Sequence, residues 1–223
     1  RTGSLRNPFD ATPTPTRTGS SWGLEGDADF TAGDLNAAIA AYTQAVQVNA
    51  GDARMWAKLA RIQTYSSRLL TNDAQRLPRL EEALKSIDQA VALAPDDSQV
   101  HAICSFVLDW GADPALDPLR APGSDKAADL LLQAEQQAVR AISLDSKNAL
   151  ALAYYAEILS DEQKWAQADQ EIQQALQLGP DLMDVHRAYG YVLESTGAYN
   201  QAIQEYQKAL AINPNLTFLY ISI

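Results

Sequence analysis

Two histidines and one cysteine are the side chains of this sequence best suited to proton transfer or metal binding. His101 and Cys104 are three residues apart and could share a helix face, but two ligands without a third or fourth make a poor zinc site. His101 and His186 both occupy a position where a large packing residue is expected, and a general acid or base would need a partner nearby. The sequence therefore predicts that both histidines are core residues and that the chain binds no metal or cofactor.

Motifs of enzyme active sites find little support in the sequence. No Walker loop, G-x-G-x-x-G or H-E-x-x-H occurs, and the one G-x-S-x-G match, at residues 19–23, directly follows the Pro/Thr-rich stretch and lacks the preceding strand that this motif requires. The acidic pairs at residues 81–82 and 96–97 are typical of helix ends and solvated surfaces. We predict no catalytic residues, and the chain is not expected to be an enzyme.

A basic stripe is the clearest candidate for ligand binding. Arg54, Lys58 and Arg61 stand at i, i+4 and i+7, so a helix would place them on one face. Such a stripe can pair with carboxylates, most strongly where arginine bonds are bidentate. The alternative is an ordinary solvated helix face.

Composition narrows the class of partner. The 223 residues are 47% hydrophobic and 20% charged, as in globular proteins, and carry a net charge of -11, which repels phosphate backbones. Nucleic acid is therefore not an expected partner. Cys104 is the lone cysteine, so it can form no intrachain disulfide. No apolar run approaches the roughly 18 residues of a membrane span, and direct membrane insertion is not expected.

The N-terminal residues 1–20 differ in composition from the rest. They are rich in Pro and Thr, which favour extended backbone, and predict a flexible linker. This linker is locally basic and could dock on its own acidic domain. Because Thr-Pro tethers often follow an envelope anchor and the chain begins without Met, the interpretation leans to a bacterial cell surface or periplasm.

From residue 21 onward the chain repeats itself. Five segments, each predicted to be an amphipathic helix, carry small, large and small residues at steps of four and three. These residues are Ala38, Tyr42, Ala45; Ala83, Ile87, Ala90; Ala134, Ala138, Ala141; Ala168, Ile172, Ala175; and Ala202, Tyr206, Ala209. In the last two segments the matching residues are 34 apart, as are Pro180 and Pro214. A second helix, in which a large residue precedes a small one, comes before each segment.

With this pattern the chain resembles the tetratricopeptide repeat family, whose 34-residue unit reads W-x2-L-G-x2-Y, then A-x3-F, A and P. The resemblance covers nearly all of residues 21–214. It implies an all-α fold, a right-handed α-solenoid of about five helix-turn-helix hairpins. The repeats are expected near 21–52, 53–97, 98–148, 149–182 and 183–216, followed by a truncated or terminal segment within a domain of residues 21–223.

Two repeats carry insertions between their helices. Trp56 and Ala83 are 27 apart, where the family pattern has 16, and His101 and Ala134 are 33 apart, which implies insertions of 11 and 17 residues. The first is expected to lengthen its helices, and the second, which holds three prolines, to be a loop. Both should emerge on one edge of the array, where insertions often carry function.

The resemblance also implies a concave groove lined by the first helix of each hairpin, where peptides bind. The corresponding positions here are Leu24, Asp27, Phe30, Arg54, Lys58, Arg61, Tyr65, Phe106, Trp110, Tyr154, Glu157, Asp161, Arg187, Tyr191 and Glu194. The aromatic members could hold an extended peptide, and the acidic end could accept a basic segment. The family's clamp for chaperone C-termini is not reproduced, because its positions hold Gly23, Asp27, Lys58, Gln99 and Ile103.

The C-terminal segment is apolar and lacks the polar cap that a terminal repeat needs. Its candidates for self-association are Leu216, Phe218, Leu219, Tyr220, Ile221 and Ile223. Either the natural chain continues, or a second copy covers this segment in a homodimer. The predicted function is a protein-interaction scaffold that binds a partner protein or peptide in its groove. The alternatives are a docking or regulatory module of a larger enzyme and a structural homo-oligomerisation module.

Overall fold

Consecutive helices pair into five antiparallel hairpins in the computed structural model, which describes residues 17–120 and 125–222, with side chains through residue 220. The helices are α1 (Gly19–Ala32), α2 (Leu35–Val48), α3 (Ala53–Ser67), α4 (Asp73–Leu93), α5 (Ser98–Gly111), α6 (Lys126–Leu144), α7 (Ala149–Asp161), α8 (Trp165–Leu178), α9 (Met183–Ser195) and α10 (Tyr199–Ile212). The prediction of an all-α solenoid of helical hairpins is confirmed.

The repeated small residues explain how the hairpins stack. All ten of the repeated alanines that flank the central position are at most 2% exposed. Because an alanine adds little bulk, neighbouring helices approach closely there, while a larger central residue fills the remaining gap in every hairpin but the third, which has Ala138. Tyr42 and Tyr206 reach far enough to press on Gly26 and Gly190 of their partner helices, where a Cβ atom would come within 2.8 and 2.5 Å of the rings.

Polar side chains fix the helix starts. Asp52, Asp97 and Asn148 each accept a hydrogen bond from a backbone amide in the first turn of the helix that follows. A second contact spans the turn between hairpins, where a ring near the start of the first helix bonds the carbonyl oxygen six residues earlier. The pairs are Trp56 with Ala50, His101 with Pro95 and His186 with Pro180. Tyr220, in the 3-10 helix Thr217–Ser222 that follows the last hairpin, makes the same contact with Pro214. The structure thus places both histidines in the core, where they hold turns.

Most of the predicted N-terminal linker, residues 1–16, lies outside the described residues. Arg17 forms an ion pair with Glu25, and its guanidinium carbon lies 3.7 Å from the ring centroid of Trp22. The Thr18 side chain caps α1, so regular structure begins at Gly19.

The two insertions pack against each other. The first extends α4 at its N-terminal end, and the second begins with a short 3-10 helix, Pro114–Leu119, and then extends α6. Leu116 of the second insertion is fully buried and clusters with Leu77 and Leu80 of α4. The expectation that the second insertion is simply a loop is corrected here, because Asp113 caps the 3-10 helix and Pro114 suits its first turn.

A left-handed residue marks the turn between the two helices in three hairpins. Gly33, Gln163 and Gly197 have φ angles of 82°, 62° and 79°. A side chain in this conformation is strained, so we expect Gln163→Gly to raise the free energy of unfolding by about 0.5–1 kcal/mol. Urea denaturation with an unchanged m value would measure it. The control is Gly197→Ala, whose added Cβ would meet nothing within 4 Å, so a loss of about 1 kcal/mol would report the backbone alone. A destabilised Gln163→Gly variant would contradict the prediction.

Candidate functional site

Five of the predicted groove aromatics gather into one cluster on the concave face. Ring centroids of Tyr65 and Phe106 are 5.1 Å apart, those of Phe106 and Tyr154 are 4.7 Å apart, and Phe30 and Trp110 extend the cluster at its ends. The first helices of four hairpins supply these rings. Tyr65, Phe106 and Tyr154 are at most 1% exposed, so the cluster is the filled centre of the concave face.

Arg187 of α9 lies within this cluster and is 5% exposed. Its guanidinium carbon is 5.2 to 5.9 Å from the ring centroids of Tyr65, Phe106, Trp110 and Tyr154. The guanidinium also donates two hydrogen bonds to the carboxylate of Glu157, at 2.5 and 3.0 Å. Arg187 is therefore held by a bidentate ion pair and by several aromatic rings at once.

A second buried carboxylate joins the middle of the array to its last hairpin. Asp184 of α9 accepts hydrogen bonds from Arg61 at 2.6 Å, from Tyr154 at 2.7 Å and from Tyr65. Burial acts to raise the pKa of Asp184, but Arg61, Arg187 and the two hydroxyls hold it below its ordinary value. Because Arg61 and Tyr65 belong to α3, this network connects hairpins that are not neighbours in sequence.

The remaining basic residues of the predicted stripe also pair within the chain. Arg54 bonds Asp97 at 2.9 Å, and Lys58 bonds Asp27 at 2.7 Å. In this conformation the basic stripe is therefore already paired and is not available to bind the carboxylates of a ligand. Arg54 remains the most accessible of the three, with its side chain 67% exposed.

The C-terminal segment lies on the same concave face. The ring of Phe218 stacks on Tyr65 with centroids 4.6 Å apart, and Leu216, Phe218 and Leu219 are at most 5% exposed. The Asn215 side chain donates to the carbonyl oxygen of Thr31 at the end of α1. This corrects the expectation that a longer chain or a second copy must cover these residues, because the chain covers them itself. Tyr220 is 57% exposed, the Ile221 side chain is not described, and Ile223 lies outside the described residues.

Beside this segment is a cavity of about 550 Å³ with acidic walls. Asp109, Glu157, Asp161 and Glu194 line it, together with Arg187 and residues of both insertions. Tyr191 donates a hydrogen bond to Asp161, and Tyr206 donates one to Glu194 at 2.8 Å. The cavity thus lies where the predicted acidic end of the groove meets the insertion edge.

Asp109 is the unusual member of this wall. It is 9% exposed, and one of its carboxylate oxygens, Oδ1, has no hydrogen-bond partner among the described residues. Burial, followed by repulsion from Asp161 and Glu157, raises the pKa of Asp109 well above its ordinary value. The sequence analysis passed over this residue because a lone Asp before Trp110 resembles any polar residue near a helix end.

The part of the chain that the structure describes contains neither a metal-binding cluster nor a membrane-spanning helix. In residues 17–120 and 125–222, no three His, Cys, Asp or Glu side chains are grouped so that they could hold a metal ion. None of the helices in these same ranges has the length and apolar character needed to cross a membrane.

A stack of helical hairpins whose first helices line one concave face defines an α-solenoid repeat protein. Sequence models of the tetratricopeptide repeat match this chain at residues 24–64 and 183–216. The chain is a tetratricopeptide repeat protein.

Solved structures share the fold. The TPR protein TTC0263 of Thermus thermophilus superposes with a TM-score of 0.67 over 92% of this chain and 96% of its own, at 20% identity. A human IFIT1 dimer with m7Gppp-AAAA superposes with a TM-score of 0.62 over 92% of this chain and 47% of that one, at 16% identity. A search of curated protein sequences found no match to this chain. At these identities the likeness extends to the fold alone.

Proposed function

We propose that this chain is a protein-interaction scaffold whose concave face binds an extended partner segment at the place that its own residues 215–220 occupy. The carrying observation is the contact of Phe218 with Tyr65, 4.6 Å between ring centroids. An aromatic side chain on a short segment is already accommodated there. The concave face therefore has the chemistry that peptide recognition needs, an aromatic anchor site with apolar neighbours.

Residues 215–220, the tethered segment, compete with any partner for this site. A ligand joined to its own site by the chain has a high effective concentration, so a partner of similar sequence competes at a disadvantage. Weakening the tethered segment should consequently strengthen binding of the same sequence offered separately. This relation separates a peptide site from a merely structural contact.

The test uses the full chain and a fluorescent peptide with the sequence of residues 213–223. We expect the Phe218→Ala chain to bind this peptide at least about tenfold more tightly than the wild-type chain, measured by fluorescence anisotropy. The matched control is Thr217→Ala, because Thr217 is an exposed residue of the same segment. A peptide with alanine in place of the phenylalanine should bind weakly to every chain. Equal affinity of the wild-type and Phe218→Ala chains would refute the proposal.

The same site could be filled by the C-terminal segment of a second copy, which is the homodimer interpretation. Light scattering across concentrations distinguishes the two. A mass that stays monomeric supports an external partner, whereas a concentration-dependent doubling that Phe218→Ala abolishes would replace the external partner by exchange of this segment between copies.

A further inference from the structure

The acidic cavity differs from the rest of the concave face because its charges are not balanced within the chain. Glu157 is neutralised by Arg187. By contrast, Asp161 and Glu194 accept hydrogen bonds from the neutral hydroxyls of Tyr191 and Tyr206. The wall carries five carboxylates against the guanidinium groups of Arg68, Arg76 and Arg187, and Arg76 pairs with Asp113, so an excess of negative charge remains around a volume of about 550 Å³.

Two unmet hydrogen-bonding groups lie in the same wall. Asp109 Oδ1 lacks a donor, and the Nε–H group of Arg187 lacks an acceptor, among the described residues. Both residues are at least nine-tenths buried and both line the cavity. Buried polar atoms are nearly always paired in folded proteins, so an unpaired acceptor and an unpaired donor in one cavity indicate a ligand that supplies both.

We propose that this cavity binds the guanidinium or ammonium group of a basic side chain from the partner segment, with Asp109 as its principal anchor. A guanidinium offers several N–H donors in one plane, which suits carboxylates on more than one wall. The backbone carbonyl oxygen of the same segment would accept from Arg187.

The position of the cavity connects this inference to the proposed function, on which it rests. Phe218 and Leu219 form part of the cavity wall. A partner segment that binds where residues 215–220 now lie would therefore have side chains at the cavity. Since the cavity is present with the C-terminal segment in place, a small probe can enter it without displacing that segment.

A proton competes with the cation for Asp109. Its carboxyl group forms a hydrogen bond with Asp161 and also faces Glu157 of α7 and Arg187 of α9. Burial, the two carboxylates and this hydrogen bond raise its pKa. A cation that enters must displace the proton held there. Binding should therefore strengthen as pH rises, by at most about tenfold per pH unit, and should release a proton.

The experiment titrates the full chain with the tripeptide acetyl-Gly-Arg-Gly-amide at pH 6 and pH 8 by calorimetry, in buffers of different ionisation enthalpy. We expect saturable binding that is tighter at pH 8 than at pH 6 and releases a proton. The citrulline tripeptide, which is nearly isosteric and uncharged, should bind at least about tenfold more weakly because it lacks the cation.

Two variants make the test specific. Asp109→Asn should weaken binding of the arginine tripeptide at least about tenfold and abolish the proton release. Asp169→Asn, at an exposed position of α8, should leave both unchanged. Citrulline binding equal to arginine binding, or an affinity that Asp109→Asn does not alter, would overturn the inference. Such a failure leaves the peptide experiment with Phe218→Ala unaffected, so the two proposals can fail separately.

Discussion

Replacing Arg187 with alanine is expected to lower the free energy of unfolding by about 3–5 kcal/mol, because the change leaves Glu157 buried without its cation. Glu157 is 2% exposed, and its carboxylate accepts two hydrogen bonds from the guanidinium of Arg187. Burial already raises the pKa of Glu157 despite that arginine. The loss should be measured by urea denaturation near neutral pH, where the carboxylate must either stay charged in the core or take up a proton.

Two controls separate the buried pair from ion pairs in general. Arg54→Ala removes an exposed pair with Asp97 and should cost no more than about 1 kcal/mol. Adding Glu157→Gln to Arg187→Ala should recover part of the loss, since the uncompensated charge is then gone. If Arg187→Ala cost as little as Arg54→Ala, the network would be a minor contributor and the concave face would be held by apolar packing alone.

The repeated architecture could be predicted from the sequence because it depends on local pattern. The alanines at steps of four and three fix which helix face packs, and the 34-residue spacing of Pro180 and Pro214 fixes the unit. Each helix end has its own signal, such as Asp52 or Asn148 at an N-cap. These features act over a few residues, so no knowledge of distant contacts is required.

The filling of the concave face could not be predicted in the same way. It depends on contacts between residues more than a hundred positions apart, such as Arg61 with Asp184. Whether such residues meet is set by the curvature that small packing offsets accumulate over several hairpins. The family pattern named Arg61, Tyr65, Tyr154 and Arg187 as groove positions. It gave no indication that they would bind one another and Asp184 in place of a ligand.

The C-terminal segment shows the same limit. Its apolar residues indicate that a cover is needed, but the sequence does not say which surface supplies it. For Leu216, Phe218 and Leu219 the structure supplies it from the concave face. The groove aromatics are thereby in contact with an aromatic side chain of a short segment.

The insertions, whose functional role the sequence left open, acquire a physical role at the cavity. Arg76 of the first insertion and Asp113 of the second form an ion pair at 2.9 Å, and both residues line the cavity. The insertions therefore build a wall that an uninterrupted repeat would lack. This wall gives the buried carboxylates of Asp109 and Glu157 an enclosed setting, in which charge is costly and a cation is bound more strongly than on an open surface.

That enclosed setting leads to the second large effect, a dependence of stability on pH that Asp109→Asn should remove. The ordinary pKa of an aspartate is 3.8, and burial with Asp161 and Glu157 raises that of Asp109 well above it. Between these two values the folded chain holds a proton that the unfolded chain has released. This contribution to stability is therefore complete below pH 3.8 and is lost as pH rises to the raised pKa.

Asparagine resembles the protonated carboxyl group, so Asp109→Asn should match the wild type near pH 4 and become more stable than it as pH rises. The difference should grow by about 1.4 kcal/mol per pH unit until the raised pKa is passed. Urea denaturation from pH 4 to 8 would measure it, with Asp169→Asn as the exposed control whose profile should stay parallel to the wild type. Asp184 should add little slope in this range, because its pKa is lowered from 3.8 and its contribution to stability is complete above that value. A constant difference across this range would contradict the prediction, because it would mean that Asp109 is ionised in the folded chain throughout.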